Sequence, residues 1–205
     1  MKLTDLAVSA TALTLLLIAP GASSAQGSPN VAGVRSGEYK VEPSHTQVQF
    51  SVRHLGFTDF SGVFSGVSGS LNLDPAHLNT SKLSVSIPVS SVLTTSSKLD
   101  EELKGAQWFD TARFPSATFT STSIEKTGAD TADVHGDLTL HGVTRPVVLK
   151  ARFIGAGVNP LDKAYTVGLE ATATIKRSEF GVKTYVPLVG DDVRLTIAGA
   201  FEKAQ

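Results

Sequence analysis

Lys and Arg total 18 against 19 Asp and Glu, and a formal net charge of −1 over 205 residues excludes the basic excess that nucleic-acid binders carry. Cysteine is absent, so the fold cannot rely on disulfides, no thiolate is available to a metal, and no N-terminal cysteine can carry a lipid. The length suits one domain with a sizeable core behind a short leader.

The leader comes first. Lys2 gives a thin positive start, Leu6 to Ala19 is mostly apolar, Pro20 and Gly21 break it, and Ser23-Ser24-Ala25 supplies small residues for cleavage. The apolar part is shorter than the roughly 20 residues needed to cross a bilayer. Residues 1–25 therefore read as a signal peptide, which places the mature protein in the periplasm. Residues 26–37 (QGSPNVAGVRSG) lack an apolar period and read as a flexible linker, leaving residues 38–205 as the domain.

Within that domain, period-two patterns dominate. Val48, Phe50 and Val52 alternate with Gln47, Gln49, Ser51 and Arg53. Leu83, Val85, Ile87 and Val89 alternate with serines, and Phe114 to Ile124 is strand-like but rich in Ser and Thr. Val134, Leu138 and Leu140 oppose Asp133, His135, Asp137 and His141. Three more faces follow: Val147, Leu149, Ala151 and Phe153; then Tyr165, Val167, Leu169, Ala171, Ala173 and Ile175; then Val193, Leu195, Ile197 and Phe201. About eight strands, each with one apolar face, describe an antiparallel all-β domain. Only Ser97 to Gly105, with Ser97 as cap and Gly105 as stop, and Lys176 to Gly181 read as short helices.

A barrel and a two-sheet sandwich with a solid core both fit this count. The stretch from Arg53 to Asp74 bears on the choice, because Gly56, Gly62, Gly66 and Gly69 interrupt its apolar run. Read as one long strand, it uses glycine to bend a sheet until it closes, and leaves room at the wall for a ligand. An eight-stranded barrel is just wide enough to be filled by side chains or to hold one small ligand. Relief of twist alone is the plainer role for the same glycines.

Enzyme motifs fail by context. Ser123 to Lys126 matches Ser-x-x-Lys but lies in a strand, whereas that chemistry needs both residues on one helical face. No Gly-rich loop opens a helix to cradle phosphate. His135 and His141 lie about 20 Å apart along a strand, too far to share an ion, and His77 follows a turn. The expectation is no catalytic residue, no metal and no cofactor. The aromatics are more coherent: Phe57, Phe60, Phe64, Trp108, Phe109, Phe114 and Phe180 gather in or beside loops, and with mid-strand Phe50 they suit the lining and rim of a barrel that takes an apolar ligand end-on.

Several ordered blocks then resemble a known family. Glu42-Pro-Ser-His-Thr, Val48 to Phe57 and Gly62-Val-Phe are similar to the opening signature of the YceI-like family. Leu103 to Phe119, Val134 to Val148, Arg177-Ser-Glu-Phe-Gly and Gly190 to Leu195 resemble its later blocks, in order, from about Tyr39 onward. The resemblance implies an extended, antiparallel, lipocalin-like β-barrel that is exported and holds a long polyisoprenoid or related lipid, without catalysis. It also implies transient contact with a membrane protein, since some relatives occur beside b-type cytochromes. This chain departs from the family pattern at Trp108, at Glu42, and between Leu99 and Lys104, where a histidine is absent. A polar head group at the mouth would meet His45, Arg53, His54 or Arg177. Nothing in the sequence speaks to oligomeric state.

Overall fold

The computed structural model describes residues 27–204; the leader reading lies outside them. Ten antiparallel strands and one α-helix make up the fold: β1 Gly37–Val41, β2 Gln47–His54, β3 Thr58–Phe64, β4 Ser68–Leu73, β5 Lys82–Pro88, α1 Ser97–Lys104, β6 Ser116–Lys126, β7 Thr131–Leu140, β8 Val143–Val158, β9 Tyr165–Lys176 and β10 Val189–Lys203. Eight of them, in the order β1-β4-β5-β6-β7-β8-β9-β10, close into a ring because the end of β10 pairs with β1. The architecture is thus the lipocalin-like barrel expected, and a sandwich is set aside.

The two extra strands come from β10, which is long enough to serve two partners. Its C-terminal part, Phe201 to Lys203, meets β1, whereas Val189 to Ala198 pairs with β2. β2 and β3 form a hairpin that extends the wall beyond the closed ring. Strand length makes the barrel tall: β8 has 16 residues, which at about 3.3 Å each is roughly 50 Å of strand. The open side between β3 and β6 is filled by the chain from Val89 to Phe114, anchored where Val63 and Leu93 exchange two 2.9 Å backbone hydrogen bonds.

Helix α1 lies in that filler. Its cap is Ser96, one residue before the position expected, with Ser96 Oγ accepting the Leu99 N–H at 3.4 Å. Asp100 in the first turn is buried and accepts both the N–H and the hydroxyl of Thr94 at 2.7 Å, which ties the helix start to the preceding loop. Leu103 faces inward and packs with Val92, Trp108 and Val182. The second helical expectation is a 3-10 turn at Arg177–Phe180.

The glycine-rich stretch is not one strand. Between Phe64 and Ser68 the chain leaves the hairpin and enters the ring, so β3 pairs with β2 while β4 pairs with β1 and β5. Nor do its glycines hold the interior open. A Cβ at Gly62 would stand 2.5 Å from the Phe50 ring, so the space it leaves is taken by that ring. A Cβ at Gly69 would collide with the Ser84 carbonyl and the β5 backbone, so there glycine permits close strand approach. His141 corrects another expectation: it sits at positive φ in the β7–β8 turn and stacks on Phe114 with ring centroids 4.7 Å apart.

Residues 27–36, expected as a flexible linker, make specific contacts. Ser28 and Ala156 exchange backbone hydrogen bonds of 2.9 and 3.0 Å. Asn30 caps the 3-10 turn Val31–Gly33, the Tyr165 hydroxyl donates to the Gly33 carbonyl at 3.1 Å, and the Arg35 guanidinium lies 4.3 Å over the Tyr165 ring.

Candidate ligand-binding lumen

The inward members of the strand alternation do not meet in the middle. They enclose two apolar chambers, of about 230 and 420 Å³. Val48, Ile87, Leu138 and Leu195 line both, so the two chambers adjoin across a shared waist. The smaller chamber lies within the closed ring and is walled by aliphatic residues such as Leu71, Val85, Leu149 and Leu169, together with Phe153 and Phe201. Val31 and Val34 of the N-terminal segment complete its wall.

The larger chamber lies under the β2–β3 hairpin, α1 and the chain after the Arg177 turn. Five of the aromatic candidates, Phe50, Phe60, Phe64, Trp108 and Phe109, line it. Phe64 bridges Phe50 and Phe109, with ring centroids 5.5 Å from each. Three aromatic expectations go elsewhere. Phe180 is 1% exposed, lines neither chamber and packs in a buried cluster with Phe119, Leu149 and Ile175. Phe114 lies outside the lumen against His141, with the Arg113 guanidinium 5.1 Å over its ring. Phe57 stands outside the rim at the hairpin tip, in solvent.

Of the four polar expectations, the structure brings two together. His54 and Arg177 line the larger chamber, joined there by Glu102 and Tyr185, which sequence reasoning missed. Arg53 points to the outer face, one residue out of phase with inward Val52 and His54, and pairs with Asp59 at 3.2 Å. His45 is exposed in the bend before β2 and pairs with Glu42. It lies the whole strand away from His54, roughly 25 Å at the usual rise, and cannot share a head-group site with it.

Arg177 is the most constrained polar side chain here. It is buried, and its guanidinium donates to three backbone carbonyls: Nε to Gly190 at 2.8 Å, one Nη to Val182 at 3.0 Å, and the other to Val189 at 2.8 Å. Its Cζ sits 5.4 Å from the Trp108 ring centroid. Burial lowers its pKa from the ordinary arginine value, and the nearby Asp191 carboxylate opposes that. Arg177 thus ties the strand end at Val189 and Gly190 to the loop at Val182 and still presents charge beside the lumen. Burial works against the Asp191 carboxylate too. Hydrogen bonds from the Ser178 N–H and hydroxyl, both 2.8 Å, with Lys176 and Arg177 nearby, outweigh it and hold its pKa below the usual carboxylate range. Beside Arg177, the Trp108 indole N–H donates to Glu102 at 3.3 Å.

Chemically, the arrangement offers two adjoining apolar chambers, with His54, Glu102 and Arg177 bordering the larger and Lys126, Asp130 and Glu170 bordering the smaller. The smaller chamber was not singled out in the sequence, although every strand listed its residues as an apolar face. Alternation identifies an inward face; it does not say whether opposing faces touch.

Comparison with known proteins agrees with this geometry. The model of the YceI-like domain matches residues 39–201. The protein YceI of Escherichia coli is 39% identical over 163 residues, covering 78% of this chain and 84% of that protein. Among solved structures, Burkholderia cenocepacia BcnA superposes with a TM-score of 0.71 at 24% identity, over 78% of this chain and 98% of that one. A polyisoprenoid binding domain from Saccharophagus degradans, implicated in plant cell wall breakdown, superposes at 0.64 with 15% identity, over 83% of this chain and all of that one. Strand order, the paired chambers and these matches converge: the chain belongs to the YceI-like family.

Proposed function

We propose that the protein binds one long-chain lipid, a polyisoprenoid or a related tail, along the channel and serves after export as its carrier or store. The observation that carries this reading is the shared lining of the two chambers by Val48, Ile87, Leu138 and Leu195, which sets two apolar chambers end to end and supports a single tail occupying both. A hydrocarbon chain gains about 0.8 kcal/mol for each methylene taken out of water, so such a lining suffices for affinity without polar contacts along it. The polyisoprenoid-binding neighbour with the same fold supports the tail chemistry. The small-residue ending of the leader at Ser23-Ser24-Ala25 supports export.

The head of the ligand belongs in the polar corner. Arg177, His54 and the Tyr185 hydroxyl border the larger chamber, a set suited to a carbonyl, hydroxyl or phosphate oxygen. Trp108 is the only tryptophan and lines the same chamber. Titrating the protein with farnesol and with a long polyprenol should therefore change its intrinsic emission, with the longer ligand saturating at lower concentration. An emission that stays constant for both would refute occupancy of this chamber.

A further inference from the structure

The end of the barrel beside the larger chamber carries exposed apolar side chains, of which Leu55, Phe57 and Leu188 line neither chamber. The β2–β3 hairpin turns through Leu55 at φ +51° and Gly56 at φ +76°. A tight turn with both central residues left-handed is normally built from Asn, Asp or Gly, because a branched apolar side chain there is strained without compensation. Here Leu55 is 47% exposed, and Phe57 beside it is 84% exposed. The neighbouring loop repeats the pattern. Tyr185 is left-handed at φ +60° and 58% exposed, and Leu188 is 65% exposed.

These two loops form one surface. The Leu55 N–H donates to the Leu188 carbonyl at 2.9 Å, and the Val189 N–H donates to the Tyr185 carbonyl at 2.7 Å. The surface is also continuous with the lumen, because Tyr185, Val189 and His54 line the chamber and the Tyr185 ring lies 6.2 Å from that of Trp108. Single exposed apolar residues need no explanation; four on two bonded loops, two of them in strained backbone, ringing the opening of an oily channel, do.

We infer that this end of the barrel docks on a lipid bilayer, with Leu55, Phe57, Tyr185 and Leu188 set among the head groups so that the channel opens towards hydrocarbon. The inference rests on the lipid-binding reading. A ligand with a long hydrocarbon tail has almost no free concentration in water, so it must enter where tails are already packed. Tyr suits the boundary between head groups and tails, where its aromatic body is buried and its hydroxyl stays wet, and Phe and Leu supply the apolar face that inserts. Lys183 is the exposed cation of the second loop, and Arg53 beside the turn is already paired with Asp59, so attraction to anionic lipid is a minor part.

Flotation with phosphatidylcholine liposomes, with and without phosphatidylglycerol, tests this on the exported protein. Wild type should float with both, and a Leu55→Asn, Phe57→Ser, Leu188→Ser variant prepared identically should lose at least tenfold of its bound fraction. Leu55→Asn suits the turn, so the fold should hold, and Phe57→Ser alone should lose several-fold. The Trp108 response to farnesol should be unchanged in the variants, since none of the three residues lines the lumen. Failure of the wild type to float, or equal flotation of the variants, overturns docking while leaving the farnesol response to judge the lumen. A wild-type dimer that the variant converts to monomer also overturns it, by assigning the patch to a second copy of the chain. Flotation without any farnesol response would retain a membrane-seeking surface but remove the reason given for it.

Discussion

Ile87→Trp places a large side chain at the waist between the chambers, and its consequences follow from the geometry. Ile87 borders both chambers, so the indole projects into the path that a tail must take. Filling a dry apolar cavity recovers about 24 cal/mol per Å³, so denying a tail the smaller chamber, about 230 Å³, removes roughly 5 kcal/mol of gross binding. Ordering the tail in that chamber costs some of this, and a net loss of about 3 kcal/mol corresponds to roughly a hundredfold in Kd. The loss should depend on length: a long polyprenol weakens by that factor, while farnesol, which fits the larger chamber, weakens by less than about threefold. Isothermal titration calorimetry against both ligands reads the difference. Stability gives a second check. In an empty channel the indole fills space at little cost, whereas in a packed core it would destabilise by about 1–3 kcal/mol. A folded variant that binds the long ligand as tightly as wild type would refute threading through the waist.

Other outcomes follow from the same structure. Arg177→Met should destabilise by about 2–4 kcal/mol in urea unfolding, because it strips the donors from three buried carbonyls. Arg177→Lys should recover less than half of that, since an ammonium cannot reach all three; full recovery would show that charge alone matters. Asp191 has a folded pKa below its unfolded value, so its contribution is present above the unfolded pKa near 4 and is lost as pH falls through the lower folded value. Asp191→Asn should therefore lower the melting temperature at pH 7 (about neutral), and the gap to wild type should close in acid; a gap independent of pH would contradict the assignment. Deleting residues 27–36, which supply Val31 and Val34 to the smaller chamber and clip to Ala156, should speed dissociation of a long polyprenol several-fold without changing farnesol release. Equal rates for both ligands would show that this segment does not hold the tail.

The strands were readable because each buries one face, which forces apolar residues to every second position. Val48, Phe50 and Val52 display this clearly, and the inward phase also puts His54 in the lumen and Arg53 outside it. Closure was harder to read, because β10 serves β1 and β2 at its two ends and a strand pattern carries no partner identity. The glycines misled for a related reason. Gly62 accommodates Phe50 from the paired strand and Gly69 lets β5 approach, and both contacts depend on register that the local sequence does not display. Within the site, aromatic clustering located the larger chamber. The smaller one was hidden among Leu and Val residues that would look the same in a packed core. Phe180 shows the converse, an aromatic near the site whose side chain is fully buried and lines neither chamber.

Native mass spectrometry of the protein purified from its own host without detergent tests the central claim most directly. The account predicts a noncovalent adduct, one lipid per chain, that organic extraction releases as a prenyl or comparably long-tailed molecule, and a delipidated protein that rebinds a polyprenol. A bare protein that takes up no long-tailed lipid under the same conditions would contradict it.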